Sequence, residues 1–299
     1  LGRNGKTLRE LKRDIERGRI PTKAMEEGAL MDQLLFGGGN YQELGVCTKR
    51  TGPDKGEQFT PTDYATKDAQ EQRDAIRANG MIPVLACEVE EAMAQASSVR
   101  ETLLRHGIDL ARETRHLGGS VLDILETGIH TQPLVEWPGR HGTLDILELF
   151  ADGSWRIVDT KLSQRCDEEW VSAQAAKMGW DVQAGAYYEG CIEGLGLDPA
   201  KFIGYGLCVC EKRSGLSMSA MHWLSNMYLE CGKALWEQCK TVWAQVIASG
   251  DWIGALDTTE LEPPGFHVSR IFDKVDSSGT ENLSDIGLDM TGIEMVGSD

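Results

Sequence analysis

The sequence predicts an α/β fold in which a central mixed β-sheet is flanked by helices, with a mostly helical part before the sheet. Apolar residues recur at helical spacing in several segments before residue 107. Three short β-rich segments then follow one another, with turn residues between them. A long helical segment and another apolar run come next. This alternation is typical of a sheet whose faces are covered by helices.

Four segments in the first third of the chain show helical spacing: 6–18, 24–36, 62–79 and 86–106. The first has basic residues between its apolar positions, so it predicts either a solvated amphipathic helix or an arm that contacts phosphate. Gly37 follows the second segment as a stop signal. Thr62 and Asp63 are candidate caps for the third. Residues 45–62, rich in Gly, Thr, Pro and charge, are expected to form a loop.

Five strands are predicted, over 131–137, 143–150, 154–161, 202–211 and 216–223. Asp152-Gly153 joins the second to the third, and an Asp-Gly pair between two apolar runs is a strong hairpin signal. The last two strands are expected to pair. Two long helices, over 168–193 and 224–249, complete the pattern.

The domain organisation is expected to be simple, because no Pro/Ser-rich linker divides the chain. Residues 1–272 are predicted to form one domain, with a mostly helical part over 1–130 and a catalytic core over 131–255. Residues 273–299 are acidic and poor in aromatic residues, and are predicted to be a flexible tail.

The net charge of −17, taken alone, argues against nucleic acid, because proteins that bind it usually present basic surface. The charges are unevenly distributed, however. Residues 1–23 carry eight basic and three acidic side chains, whereas residues 273–299 carry seven acidic side chains and one basic. The acidic excess therefore lies partly in a tail that need not contact a ligand.

Composition and motifs exclude several classes of protein. No run of about 18 apolar residues is present, so no membrane contact is expected. The eight cysteines form no CxxC pair, which makes a zinc or disulfide framework a poor fit and agrees with a reducing cytoplasm. The sequence also lacks HExxH, Walker A, dinucleotide-binding and GxSxG motifs.

The main chemical signal lies on the predicted hairpin. Asp159 and Lys161 are two residues apart on one strand and therefore share a face, and the hairpin brings Asp145 beside them. Carboxylates are ligands that Mg²⁺ prefers, the backbone carbonyl of Thr160 would complete the metal shell, and a nearby lysine would orient water or stabilise negative charge. The alternative for such a pattern is an ordinary ion pair between Asp159 and Lys161.

The helix after this strand adds a second signal. Gln183 and Tyr187 are four residues apart and so share a helix face. An amide and a phenol placed there would position a phosphate or the attacking water.

Asp145, Asp159-Thr160-Lys161 and the QAGAY segment from Gln183 to Tyr187 together resemble the RecB-like branch of the PD-(D/E)XK nuclease superfamily. Within it, the chain resembles the exonuclease VIII (RecE) nuclease domains and their phage relatives. The resemblance extends over roughly residues 24–255, and it implies the PD-(D/E)XK core for the predicted fold.

The resemblance also implies further metal ligands. In the family an early helix carries Gly-x-x-x-His, and here Gly28 is followed by Asp32 in place of the histidine, so Asp32 is expected to bind the metal. The family often has a glutamate on the strand before the first aspartate. Gln132 and Glu136 are both candidates for that position, and Glu136 is chemically the better one.

The function that the resemblance implies is a Mg²⁺-dependent exonuclease, with Mn²⁺ as a possible substitute, acting on the ends of linear double-stranded DNA in a bacterial host cytoplasm. It would digest 5′ to 3′, leave a 3′ overhang for a single-strand annealing partner, and assemble as a ring-shaped homo-oligomer around DNA. A basic channel inside an acidic exterior would reconcile the charge of −17 with DNA.

Two alternatives remain open on sequence grounds. One is a structure-specific endonuclease with the same core. The other is a catalytically inactive protein that binds DNA or serves as a scaffold, because fold does not guarantee activity.

Overall fold

The computed structural model describes residues 12–13, 16, 21–116, 126–212 and 217–250. Of the predicted N-terminal helix, residues 12, 13 and 16 are helical. The rest of that helix and the acidic tail at 273–299 lie outside the described residues.

The helices in chain order are α1 (Lys23–Phe36), α2 (Lys67–Ala78), α3 (Ala86–Arg105), α4 (Glu168–Met178), α5 (Trp180–Leu195) and α6 (Asn226–Ser249). The strands are β1 (Tyr41–Glu43), β2 (Cys47–Thr48), β3 (Gln58–Phe59), β4 (Ile82–Val84), β5 (Glu113–Arg115), β6 (Gly128–Thr131), β7 (Leu134–Trp137), β8 (Arg140–Thr143), β9 (Ile146–Leu149), β10 (Trp155–Ser163), β11 (Phe202–Glu211) and β12 (Ser219–Trp223). Short 3₁₀ turns cover Leu110–Arg112 and Pro199–Lys201.

A six-stranded sheet in the order β12-β11-β10-β9-β6-β5 forms the centre of the molecule. The β10/β11 and β5/β6 pairs are parallel and the other three pairs are antiparallel. The sheet is therefore mixed, which confirms the predicted fold class.

Helices cover both faces of this sheet. Residues of α1 and α3 form one core with β9, β10 and β11, in which Val158 is fully buried. Residues of α4, α5 and α6 form a second core on the opposite face, in which Ile157 is fully buried. Because side chains alternate along β10, Asp159 and Lys161 face α5 whereas Thr160 faces α1. The helical first part thus shares a core with the sheet.

Local signals explain where α1 and α2 begin and end. Thr22 caps α1 by accepting a hydrogen bond from the Met25 amide at 3.4 Å, and Gly37 ends it in the left-handed conformation, with φ 76°. The prediction for 24–36 is confirmed. The α2 helix begins later than predicted: Thr66 is its cap, rather than Thr62 or Asp63. Part of the predicted loop before it pairs as β2 and β3.

The predicted hairpin between β9 and β10 is confirmed. Gly153 adopts φ 79° and its amide donates to the Phe150 carbonyl at 2.9 Å. Asp152 supports the turn by accepting a hydrogen bond from the Ser154 amide at 2.8 Å.

Three predicted elements are each interrupted in the structure. The helix over 168–193 is divided at Gly179, whose φ of 74° ends α4 and begins α5. The strand over 131–137 is divided into β6 and β7 by Gln132, with φ 53°, and Pro133. The strand over 143–150 is divided into β8 and β9, so Asp145 lies between two strands rather than on one.

The interruptions allow β7 and β8 to leave the sheet as a separate two-stranded ribbon. Glycines on α5 admit this ribbon closely: a side chain at Gly190 would meet the Trp137 ring at 2.9 Å, and one at Gly194 would meet the Glu136 carbonyl at 2.3 Å. The ribbon therefore lies directly against α5.

Two sequence-based exclusions can be compared with the structure. No helix in the described ranges combines the length and apolar character needed to cross a membrane. All eight cysteines lie in those ranges, and none of them is in a disulfide bond.

Candidate active site

The site forms where β9 and β10 diverge. Their ladder ends at the pair Val158–Ile146, and beyond it the Asp145 carboxylate takes the place of the next strand residue. Its Oδ2 accepts two hydrogen bonds from Thr160, one from the backbone N–H at 2.7 Å and one from the hydroxyl at 2.8 Å. Because N–H and C=O of one strand residue point to the same side, the Thr160 carbonyl also faces Asp145.

Asp32 reaches the same place from α1. The Thr160 hydroxyl lies 3.0 Å from Asp32 Oδ1 as well as 2.8 Å from Asp145 Oδ2. A hydroxyl has one hydrogen and can donate to one carboxylate at a time. Burial, followed by the charge of Asp145, holds the pKa of Asp32 well above its usual range. A proton on Asp32 would supply the hydrogen for the second contact.

Asp159 is buried on the α5 side and forms an ion pair with Lys161, which is partly exposed. Burial raises the pKa of Asp159 to about 7, and the charge of Lys161 only partly offsets this. Burial lowers the pKa of Lys161, but the charges of Asp159 and Asp145 outweigh it and leave that pKa raised. Lys161 therefore stays protonated at neutral pH beside a carboxyl that titrates near neutrality.

The two α5 residues contact the site in different ways. Gln183 Nε2 lies 3.5 Å from Asp159 Oδ1. Tyr187 donates its hydroxyl hydrogen to the Thr143 carbonyl at 2.9 Å, and its ring lies against Gly142. In this structure Gln183 therefore contacts the Asp159 carboxylate, whereas Tyr187 is hydrogen-bonded to the backbone of Thr143, two residues before Asp145.

The structure does not bring Glu136 into the cluster, and this corrects the choice between Gln132 and Glu136. Glu136 is exposed on β7, in the ribbon that has left the sheet. Gln132 instead continues the β6/β9 register, and its Nε2 donates to Asp145 Oδ1 at 3.3 Å. The physical reason is the left-handed backbone at Gln132, which turns everything after it away from the sheet.

Sequence reasoning missed a network that ties the ribbon to α5 and α6. Arg140, at the start of β8, lies 3.4 Å from Glu189 on α5 and 5.5 Å from the centre of the Trp236 ring on α6. Lys240 on α6 also pairs with Glu189. No motif marks these residues, because they come from three separate segments.

The residues present fit a hard divalent cation. Asp159 Oδ2 is buried and, apart from its ion pair, has no hydrogen-bond partner, and the carboxyls of Asp32 and Asp159 both have raised pKa values. Burial is the largest cause of both shifts, and a divalent cation would favour the charged form of each carboxyl. Among the described residues no three His, Cys, Asp or Glu side chains form a ready-made metal site.

Comparison with known proteins adds a distant structural neighbour. No family model matches the sequence, and no curated protein matches it. A solved structure described as a putative exonuclease from Eubacterium rectale matches 86% of this chain and 83% of its own, with a TM-score of 0.41 and 11% sequence identity. Similarity at this level does not indicate a function. The function proposed below therefore rests on the side chains of the site.

Proposed function

We propose that this chain is a metal-dependent deoxyribonuclease, an exonuclease that acts on the ends of linear double-stranded DNA. The observation that carries the proposal is the convergence of Asp32, Asp145 and Asp159 around the Thr160 peptide, with Lys161 paired to the most buried carboxylate. Such a cluster is costly to bury without a cation, and so indicates a site that binds one.

Mg²⁺ or Mn²⁺ bound there would lower the pKa of a coordinated water and stabilise charge on the phosphoryl group. Asp145, Asp159 and the Thr160 carbonyl are the proposed ligands, and Asp32 would join them once it has lost its proton. Gln183 would hold Asp159 in place for this task.

Lys161 has the second role in the proposed reaction. Hydrolysis forms a bond from water oxygen to phosphorus and breaks a P–O ester bond, and the leaving oxygen takes up a proton. The Lys161 ammonium, kept charged by Asp159, would orient the attacking water or stabilise negative charge on the phosphoryl oxygens. The position of Lys161 beside Asp159 supports both of these roles.

The finer features of the proposal rest on the resemblance of Asp145, Asp159-Thr160-Lys161, Gln183 and Tyr187 to the motifs of the exonuclease VIII (RecE) nuclease domains. These features are 5′ to 3′ digestion, a 3′ overhang passed to a single-strand annealing protein, and a ring-shaped homo-oligomer. A ring with a basic lining would also accommodate DNA in a chain of net charge −17.

Digestion of end-labelled linear duplex, with supercoiled circular DNA in parallel, tests the proposal. We expect Mg²⁺ or Mn²⁺ to release nucleotides from the ends and leave the circle intact, EDTA to abolish release, and Lys161→Ala to reduce it by at least 100-fold. Lys67→Ala is the matched control, because Lys67 is an exposed lysine on α2.

The other outcomes select among the alternatives. Cleavage of the circle would favour a structure-specific endonuclease. Folded wild-type protein that binds DNA but cuts nothing with any divalent metal would be a binding or scaffold protein, and the enzymatic proposal would be abandoned.

A further inference from the structure

Gln132 stands out by its backbone. Among the described residues it is the one non-glycine residue with positive φ, at 53°. Glycine is the usual residue where the chain must adopt this conformation, because other residues meet a steric penalty there. A glutamine at such a point suggests that its side chain has a task that glycine would not perform.

Gln132 makes two hydrogen bonds to Asp145. Its backbone N–H donates to the Asp145 carbonyl at 3.0 Å, and its side-chain amide donates to Asp145 Oδ1 at 3.3 Å. The Leu144 amide donates to the Pro133 carbonyl at 3.0 Å on the other side. Backbone and carboxylate of Asp145 are therefore both bonded to the same neighbour.

The hydrogen bond from the Gln132 side chain limits how the Asp145 carboxylate can bind other groups. A carboxylate offers about four lone-pair sites. Thr160 fills two of them at Oδ2, and Gln132 fills one at Oδ1. The three donors together fix the rotation of the carboxylate about its Cβ–Cγ bond. They leave one acceptor site on Oδ1, for which the Asp159 carboxyl competes when no cation is bound.

We propose that Gln132 is a positioning residue, whose side-chain amide orients the Asp145 carboxylate so that Oδ1 presents one acceptor site to a divalent cation. This inference rests on the proposed function, because it assigns Asp145 to the metal. If Gln132 had only a structural role, the turn at the end of β6 would be enough for full metal affinity. A positioning role requires the side-chain amide as well.

The test is titration of the DNA-free protein with Mn²⁺ alone, followed by electron paramagnetic resonance of free Mn²⁺. Gln132→Met keeps the size and removes the donor. Gln132→Gly removes the donor and suits the positive φ. We expect both variants to bind Mn²⁺ about ten-fold more weakly, a typical effect of losing a group that orients a metal ligand. Gln42→Met, at an exposed glutamine on β1, should bind as wild type does.

Two further readouts separate positioning from folding. Gln132→Gly should unfold in EDTA close to the temperature of wild type, since the relief of backbone strain offsets the lost hydrogen bond to Asp145. In DNA digestion, the Mn²⁺ concentration for half-maximal rate should rise about ten-fold in both variants while the rate at saturating Mn²⁺ recovers. If Gln132→Met does not fold, the comparison of Gln132→Gly with wild type is sufficient for the test.

The results distinguish this inference from the proposed function. Wild type that binds Mn²⁺ and cuts DNA, with both variants binding equally well, would overturn the role of Gln132 alone. Loss of affinity in Gln132→Met but not in Gln132→Gly would also overturn it, by showing that the amide is not needed. Wild type that neither binds Mn²⁺ nor cuts DNA would overturn both.

Discussion

At the residue scale, the hydroxyl of Thr160 lies between two carboxyl groups. It lies within 3.0 Å of both Asp32 and Asp145, and it is almost fully buried. A buried acceptor left without a donor costs about 1–3 kcal/mol. The hydroxyl therefore stabilises the metal-free site as well as shaping it.

Thr160→Val removes that hydroxyl and keeps the branched shape that suits a strand. We expect it to lower the free energy of unfolding by roughly 1–3 kcal/mol in EDTA at pH 7, because a buried carboxyl loses its donor. Urea unfolding followed by circular dichroism measures the change. Thr160→Ser retains the hydroxyl and should lose much less. A Thr160→Val protein as stable as wild type would mean that the carboxyls find other donors.

Local rules were sufficient to predict part of this site. The two-residue period of a strand places Asp159 and Lys161 on one face, and the Asp-Gly turn brings Asp145 near them. They were not sufficient for Gln132. Its positive φ turns β7 away from the sheet, and no local rule assigns that conformation to a glutamine rather than to a glycine.

At the element scale, the missed break at Gly179 has a similar cause. Glycine inside a helix costs only about 1 kcal/mol relative to alanine, so one glycine in a helical pattern does not require a break. Here the residue adopts φ 74°, and the chain begins a new helix, α5, which carries Gln183 and Tyr187 over the site. Helix spacing predicted that these two residues share a face, but not the break before them.

The close crossing of α5 and α6 is a second determinant at this scale. A side chain at Gly232 would meet the Asp181 carbonyl oxygen at 2.0 Å, and one at Gly185 would meet the Gly232 backbone at 2.9 Å. These are backbone atoms, which cannot move aside as a flexible side chain can. The glycines therefore allow α6 to lie directly on α5, the helix that covers the carboxyl cluster.

Gly232→Ala should accordingly lower the free energy of unfolding by about 1–3 kcal/mol, since overpacking at a fixed contact forces the helices apart. Gly28→Ala is the matched control: Gly28 also lies inside a helix, but a side chain there meets nothing within 4 Å. It should raise stability by about 0.5–1 kcal/mol through helix propensity. Thermal unfolding of both variants checks the pair. Equal effects would show that the crossing tolerates a methyl group.

At the scale of the whole molecule, the buried carboxyls set how stability depends on pH. Folding raises the pKa of Asp159 to about 7, above the value near 4 of an unfolded chain. Its contribution to stability is therefore complete below about pH 4 and is lost as pH rises through 7. Exposed carboxyls act in the opposite sense: hydrogen bonds from Ser154 lower the pKa of Asp152, and a backbone bond from Thr48 lowers that of Asp68.

Comparison of wild type with Asp159→Asn isolates the buried group, because the exposed carboxyls are common to both proteins. In EDTA, wild type should lose stability relative to the variant between pH 4 and 7, by at most about 4 kcal/mol for a shift of this size. Thermal unfolding at closely spaced pH values measures the difference. Parallel curves for the two proteins would show that Asp159 ionises normally.

Adding Mn²⁺ should reverse this loss in wild type, because a cation that binds only the folded state stabilises it by about 2.7 kcal/mol at 100 times its dissociation constant. The gain should be largest at pH 8 and small at pH 5, where protons compete with the metal for the carboxyls. It should be absent in Asp159→Asn at every pH. An equal gain in the variant would place the cation elsewhere and separate the buried charge cluster from metal binding.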